Sequence, residues 1–229
     1  MLYRSQIFTQ ASGSIGGLTF SHNRGGPYVR GRGLPTNPGT PEQVAVRNAV
    51  AVIVDAWLTV LTEAQREAWG EFAGNVGLPG PLGDFRFVSA QQQYVRSNVP
   101  RIQAGLARVD DAPILFDLGQ PPTITIQGDA SAETLAVAWL ADQQWAEEDD
   151  AHLLVYSSRP QNPTINFFKG PYRYAGKIAG DETTPPTSPQ TLTSPFVLGT
   201  GQRVFLQARV TRGDGRLSGT FRNFGTVVA

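Results

Sequence analysis

The chain has 229 residues, 40% of them hydrophobic and 17% charged, and its 19 basic and 19 acidic side chains balance. That length supports one large domain or two small ones with real cores, and zero net charge gives no general reason to expect binding to nucleic acid or an acidic membrane. Cysteine is absent, which excludes disulfides and thiolate metal sites; no apolar run reaches the ~20 residues that span a bilayer, and Met1-Leu2-Tyr3-Arg4-Ser5 lacks a secretory core, so a soluble protein made in the cytoplasm is expected.

Residues 1–39 read as an arm rather than a domain. They carry Arg4, Arg24, Arg30 and Arg32 and no acid, whereas the strongest acidic run, Glu147-Glu148-Asp149-Asp150, lies far along the chain. A head-to-tail meeting of the two between copies is one reading; solvated charge runs are the commoner one. Two β-prone pieces, Leu18-Thr19-Phe20-Ser21 and Tyr28-Val29-Arg30, flank a Gly-containing loop at 22–27 and predict a hairpin. A lone hairpin is marginal in water, so this one needs a surface to pair with.

Residues 40–113 read as a helical segment. Thr40-Pro41-Glu42-Gln43 has the order of a capping box, and Val46, Val50, Ile53 and Trp57 recur at helical steps to predict one apolar face. Thr62-Glu63-Ala64-Gln65 repeats the start signal for a second helix ending near Gly74, with Trp57, Trp69 and Phe72 as the shared core. Residues 74–86 read as a loop. A third helix is expected from about Val88 to near Gly105, broken or kinked at Pro100.

From 114 to 229 the pattern alternates in short runs. Strands are expected at about 122–127, 133–140, 151–157, 172–179, 190–196, 202–211 and 219–228, with turn signals at Gly128-Asp129, Thr183-Thr184-Pro185-Pro186 and Arg212-Gly213-Asp214-Gly215. Seven short strands in this length match an immunoglobulin- or fibronectin III-like sandwich, and the lack of cysteine favours the fibronectin type. Trp139, Val204, Leu206 and Ala208 are expected inside. The fold class is therefore α+β: an extended arm with a hairpin, a small helical segment and a C-terminal all-β sandwich.

Chemistry-bearing constellations are few. His22 and His152 lie too far apart for a catalytic or zinc pair, and a metal at His152 with Glu148 or Asp150 is disfavoured. Gly13-Ser14-Ile15-Gly16-Gly17 lacks the lysine and following helix of a phosphate loop and reads as a turn. Arg212-Gly213-Asp214 is the integrin-type tripeptide, but the same residues make an ordinary tight turn. Arg24, Arg30, Arg32 and Arg47 with Tyr28 suit phosphates and bases, or carboxylates at a protein interface; the interface reading is favoured. Phe20, Arg24, Tyr28, Arg30, Arg32 and Arg47 are thus the expected assembly-interface residues. No catalytic, metal or cofactor residue is assigned, and no enzyme activity, cofactor, nucleic-acid partner or membrane partner is expected.

Beyond these readings, the first half resembles a group of phage and prophage virion-associated proteins. The motifs are Gly13-Ser14-Ile15-Gly16-Gly17-Leu18-Thr19-Phe20, Arg24-Gly25-Gly26-Pro27-Tyr28-Val29-Arg30, Asn37 to Gln43 with Arg47, then Trp57, Leu61 to Trp69, and the helix holding Tyr94 and Asn98. The resemblance covers roughly residues 10–115 by motif and the rest by layout. It implies a virion location and structural partners. The leading expectation is a capsid decoration or cement protein, whose arm and helices bind the major capsid protein lattice while the sandwich projects, with self-association. The alternatives are a tail, neck or baseplate component, or a host-surface carbohydrate-binding module using Trp145, Tyr172 and Tyr174.

Overall fold

The computed structural model describes residues 11–23, 26–34, 36–80, 84–140 and 142–229, and its contacts separate Met1–Pro41 from Glu42–Ala229. In the first unit β1 (Gly13–Ile15), β2 (Leu18–Asn23) and β3 (Gly26–Gly31) form an antiparallel sheet in that order. The expected hairpin is there, with a tighter turn, because His22 pairs with Pro27 and Asn23 with Gly26. The Gly13–Gly17 stretch, read as a turn, contributes a third strand. Gly16 takes φ +57, the left-handed conformation that reverses the chain between Ile15 and Leu18.

The second unit holds helices α1 (Pro41–Thr59), α2 (Glu63–Asn75) and α3 (Ala90–Gln103). Both α2 and α3 start on complete capping boxes: Thr62 with Gln65, and Ser89 with Gln92. In each the cap side chain accepts the N3 amide and the N3 carboxamide oxygen accepts the cap amide, pairing two otherwise orphaned donors. Pro100 does not end α3, which runs on to Gln103. The loop expected at 74–86 begins two residues later, after Asn75, and contains a two-residue ladder, β4 (Leu78–Pro79) with β5 (Phe85–Arg86).

The helical core gathers Ile53, Leu61, Trp69, Phe72, Val76 and Tyr94, with Trp57 partly buried against it. Trp69 meets Phe72 and Tyr94 edge-on at 5.9 and 5.4 Å, and its indole N–H donates to the Asp110 carbonyl at 2.9 Å. The apolar face predicted for α1 is rotated. Ala49, Ile53 and Ala56 point inward, while Val46 and Val50 are exposed. The two alanines flank Ile53 one turn away on either side, so this stripe approaches its neighbours more closely than a valine stripe would.

All seven expected strands exist: β6 (Ile124–Asp129), β7 (Thr134–Trp139), β8 (His152–Ser157), β9 (Arg173–Ala179), β10 (Gln190–Thr193), β11 (Arg203–Thr211) and β12 (Phe221–Val228). Gly128 and Asp129 belong to β6, and the turn follows them. The strands form one sheet ordered β10-β7-β6-β12-β11-β8-β9. Every pairing is antiparallel except β6 with β12. The sheet curls until its end strands meet: a Cβ on Gly176 of β9 would lie 3.1 Å from Leu192 of β10. Ile124, Ile126, Leu135, Val137, Trp139, Leu153, Val155, Val204, Leu206 and Ala208 fill the enclosed face, as period-two alternation requires. The fold is mixed α+β, with few helices and one large sheet.

Helices and sheet are tied through the β11–β12 connection. Arg96 donates to the Leu217 and Ser218 carbonyls at 2.9 and 3.2 Å. Arg101 donates to the Arg212 carbonyl at 2.9 Å, to the Thr211 hydroxyl at 3.2 Å and to the Ala107 carbonyl at 2.9 Å.

Candidate interaction surface

In an antiparallel sheet, directly paired residues share a face. Leu18, Phe20 and Val29, with Ile15 opposite Leu18, therefore line one side of the arm sheet. Ser14, Thr19, Ser21, Tyr28 and Arg30 line the other, where the Ser14 and Thr19 hydroxyls bond at 2.8 Å. The sheet is thus amphipathic. On its apolar side Ile15 is 77% and Leu18 48% exposed, Phe20 and Val29 are partly buried, and no described residue of 11–40 is fully buried.

This geometry divides the residues expected to form one interface. Phe20 sits on the apolar side, Tyr28 and Arg30 on the polar side, and Arg32 just past the end of β3. Arg47 lies on α1 in the second unit, and Arg24 lies outside the described residues. Only Phe20 falls in the apolar set; Ile15, Leu18 and Val29 complete it. The signal that would have found them is the alternation of Leu18 and Phe20 against polar Thr19 and Ser21.

On the second unit, α1 is apolar nearly all round. Between Val44 and Leu58 its charged residues are Arg47 and Asp55. Val44, Val46, Val50, Val52 and Leu58 are exposed, Val52 at 53% and Leu58 at 64%. Helices of this composition are normally enclosed by protein, and a contiguous apolar patch on a surface marks an interaction site. No single helix among the described residues is long and apolar enough to cross a membrane.

Beside α1 runs a groove of about 670 Å³. Ala45, Val46 and Val52 form one wall and Tyr156, Tyr172 and Tyr174 another. Glu42 and Arg173 pair across its rim at 3.6 Å, and Arg173 also stacks over Phe196. Tyr156 and Tyr174 meet edge to face at 5.6 Å. Burial, with repulsion from Tyr156, pushes the Tyr174 hydroxyl up to about 12, so the wall is uncharged at neutral pH. Trp145, expected as an exposed aromatic, is 2% exposed and packs 5.3 Å from Trp139 in the core. The end of β9 presses on its turn, since a Cβ on Gly180 would lie 2.0 Å from the Trp145 carbonyl.

The remaining polar clusters hold the fold together. Arg212 is buried and pairs with Glu148, and the Gly215 amide donates to the Arg212 carbonyl at 3.0 Å. The Arg212-Gly213-Asp214 tripeptide is therefore a structural turn with its arginine withdrawn from solvent. Arg216 bonds Asp214 at 2.6 Å and Asp117 at 2.7 Å. His152 Nδ1 lies 2.9 Å from the Asp150 carbonyl, and burial lowers its pKa. Among the described residues no group of three or more His, Asp or Glu is placed to hold a metal ion.

No family model matches the chain, and no curated protein matches it. Among solved structures it is similar to an Fn3-like protein from Clostridium thermocellum at 16% identity, covering 52% of this chain and 97% of that one, with a TM-score of 0.31. It is also similar to chicken CNTN1 FN1–FN3 domains at 9% identity, covering 51% and 35%, with a TM-score of 0.32. A third similarity is to a family 76 glycoside hydrolase from a bovine Bacteroides thetaiotaomicron strain at 8% identity, with a TM-score of 0.34; it covers 48% of this chain and spans 21% of that enzyme.

Proposed function

We propose that this chain is a non-enzymatic structural component of a phage particle, a capsid decoration protein whose arm and helices bind the major capsid protein lattice. The observation that carries the reading is exposed apolar surface: Ile15 and Leu18 on the arm sheet and the valines of α1. In this reading a neighbouring subunit packs on the three-stranded sheet, and contacts with that neighbour offset the cost of ordering it. The polar clusters that catalysis would draw on serve instead to join α3, the acidic run and the β11–β12 connection.

The outward module in this reading is a sandwich of the immunoglobulin and fibronectin III type. Dividing the sheet between β6 and β12 gives groups β10-β7-β6 and β12-β11-β8-β9. They contain the first, second and fifth strands, and the third, fourth, sixth and seventh, which is a Greek-key distribution. Particles made without the chain are expected to assemble but to rupture at lower temperature, and a map of intact particles is expected to show residues 114–229 projecting from the capsid lattice. Unchanged robustness with density on the tail would replace this reading by a tail, neck or baseplate role.

The tyrosine wall of the groove favours one further reading, host-surface carbohydrate binding. Tyr172→Ala and Tyr174→Ala are then expected to abolish glycan-array signals given by the wild type, and a wild type that binds no glycan ends that reading.

A further inference from the structure

The outer face of the large sheet gathers positive charge that no acid offsets. Gln207 of β11 stands opposite Arg222 of β12, and Arg209 lies two residues along β11, so Arg209 and Arg222 project from one face. Leu206, Ala208 and Val210 fill the other, enclosed face. Arg96 arrives from α3, held through Nη2 on the Leu217 and Ser218 carbonyls, while Arg209 donates from Nε to the Thr220 hydroxyl at 2.8 Å. Those anchors are two residues apart, which brings the two guanidinium groups near each other. Arg222 lies over the Tyr172 ring, 5.9 Å from its centroid. Among the described residues no ion pair uses any of the three arginines. Burial, and then repulsion from Arg209, lowers the Arg96 guanidinium to about 10; burial lowers Arg209 too, and Arg222 repels it.

We propose that Arg209 and Arg222 hold a phosphate- or sulfate-type oxyanion on this face, with the charge of Arg96 behind them. Like charges gathered without a carboxylate raise the free energy of the fold, and a bound anion offsets that cost. Arg209 uses only Nε within the protein, and Arg222 is exposed and makes no hydrogen bond among the described residues, so the Nη groups of both are placed to donate outward. Arg96 acts through its field, because Nη2 is engaged and Nη1 is buried without a hydrogen-bond partner. A divalent tetrahedral anion matches two guanidinium forks and a third charge better than one carboxylate does. Inorganic phosphate and a phosphate ester on a sugar share this chemistry; the second lays its sugar beside Tyr172. The site uses neither the arm sheet nor the α1 valines and depends on neither functional reading.

Titration calorimetry of the full chain with inorganic phosphate, at neutral pH and low ionic strength, tests it. Wild type is expected to bind a single phosphate per chain, and Arg209→Gln and Arg222→Gln are each expected to weaken binding about tenfold or more. Arg222 is exposed, so its variant is expected to keep the wild-type circular dichroism and melting temperature and carries the test if Arg209→Gln proves unstable. Arg86→Gln, on β5, removes the same charge elsewhere and is expected to leave binding unchanged. Wild type that takes up no phosphate overturns the proposal. So does Arg222→Gln protein that binds like wild type, or Arg86→Gln protein that loses as much, which would reduce the effect to net charge. A hexose phosphate that binds more tightly than phosphate assigns the site to a sugar-borne group, and one that binds equally or less assigns it to the free anion; both results support an oxyanion site at Arg209 and Arg222.

Discussion

Asn98 shows how one side chain can replace a stretch of secondary structure. It is fully buried on α3, donates to the Val109 and Tyr94 carbonyls at 3.0 and 3.2 Å and accepts the Val109 amide at 2.8 Å. Asn98→Ala strands both polar groups of Val109, each costing about 1–3 kcal/mol, so a loss of about 2–6 kcal/mol is expected in urea denaturation. Gly225→Ala is expected to do more damage, since its Cβ would lie 1.8 Å from the Ile126 carbonyl oxygen on the neighbouring β6; thermal melting or loss of soluble protein reads it. Acid sensitivity has an address too. The hydrogen bond from Arg108, foremost, holds the Asp110 carboxyl below its usual range, and Tyr94 also donates to it. A depressed carboxyl stabilises the fold fully above its unfolded pKa of roughly 3.9 and loses that contribution as pH falls through the folded value. The urea midpoint of Asp110→Asn is therefore expected to fall less than that of wild type as pH is lowered. Tyr174 acts in the opposite limb. Its folded pKa, raised to about 12, gives stability that is present below roughly pH 10 and is lost as pH rises through the folded value, and Tyr174→Phe is expected to flatten that loss.

Helix starts follow local rules, and helix faces do not. Thr62 accepts the Gln65 amide at 3.3 Å and Gln65 accepts the Thr62 amide at 2.9 Å, so Thr62→Ala is expected to cost about 1 kcal/mol by urea denaturation. That box is legible in four residues. The buried face of α1 is not, because Val, Ala and Ile occur on every side of it and each residue turns the face by only 100°. Val46 and Val50 read as core by spacing, yet Ala49 and Ala56 took those places beside Ile53. The result is an exposed valine surface, which becomes the candidate interface.

Across the second unit, helices and sheet behave as one body because buried arginines span the joint. Arg101 reaches from α3 to Thr211 and Arg212, and burial lowers its pKa, against attraction from Asp150 and Asp214. Removing it cuts the bonds to the Thr211 hydroxyl and the Arg212 carbonyl that join α3 to the β11–β12 connection, and takes the donor from the Ala107 carbonyl. Arg101→Ala is therefore expected to lower the urea midpoint of helical and aromatic signals together, in one transition; two separate transitions would show that helices and sheet unfold independently.

Sequence alone determined what short-range physics controls: seven strands by their period of two, the capping box at Thr62, and the core places of Trp69, Phe72, Val204 and Leu206. Tertiary structure decided which elements become neighbours. Gly13–Ile15 carries no alternation of its own and is a strand because β2 offers it a ladder. Trp145, set among Gln143, Gln144, Glu147 and Glu148, reads as exposed and is buried because β9 closes on its turn. The strand order, the parallel β6–β12 pair and the division of the arm residues between two faces all rest on pairings between distant residues. Local periodicity records the surroundings of a residue within a few positions; partner choice is a property of the whole chain.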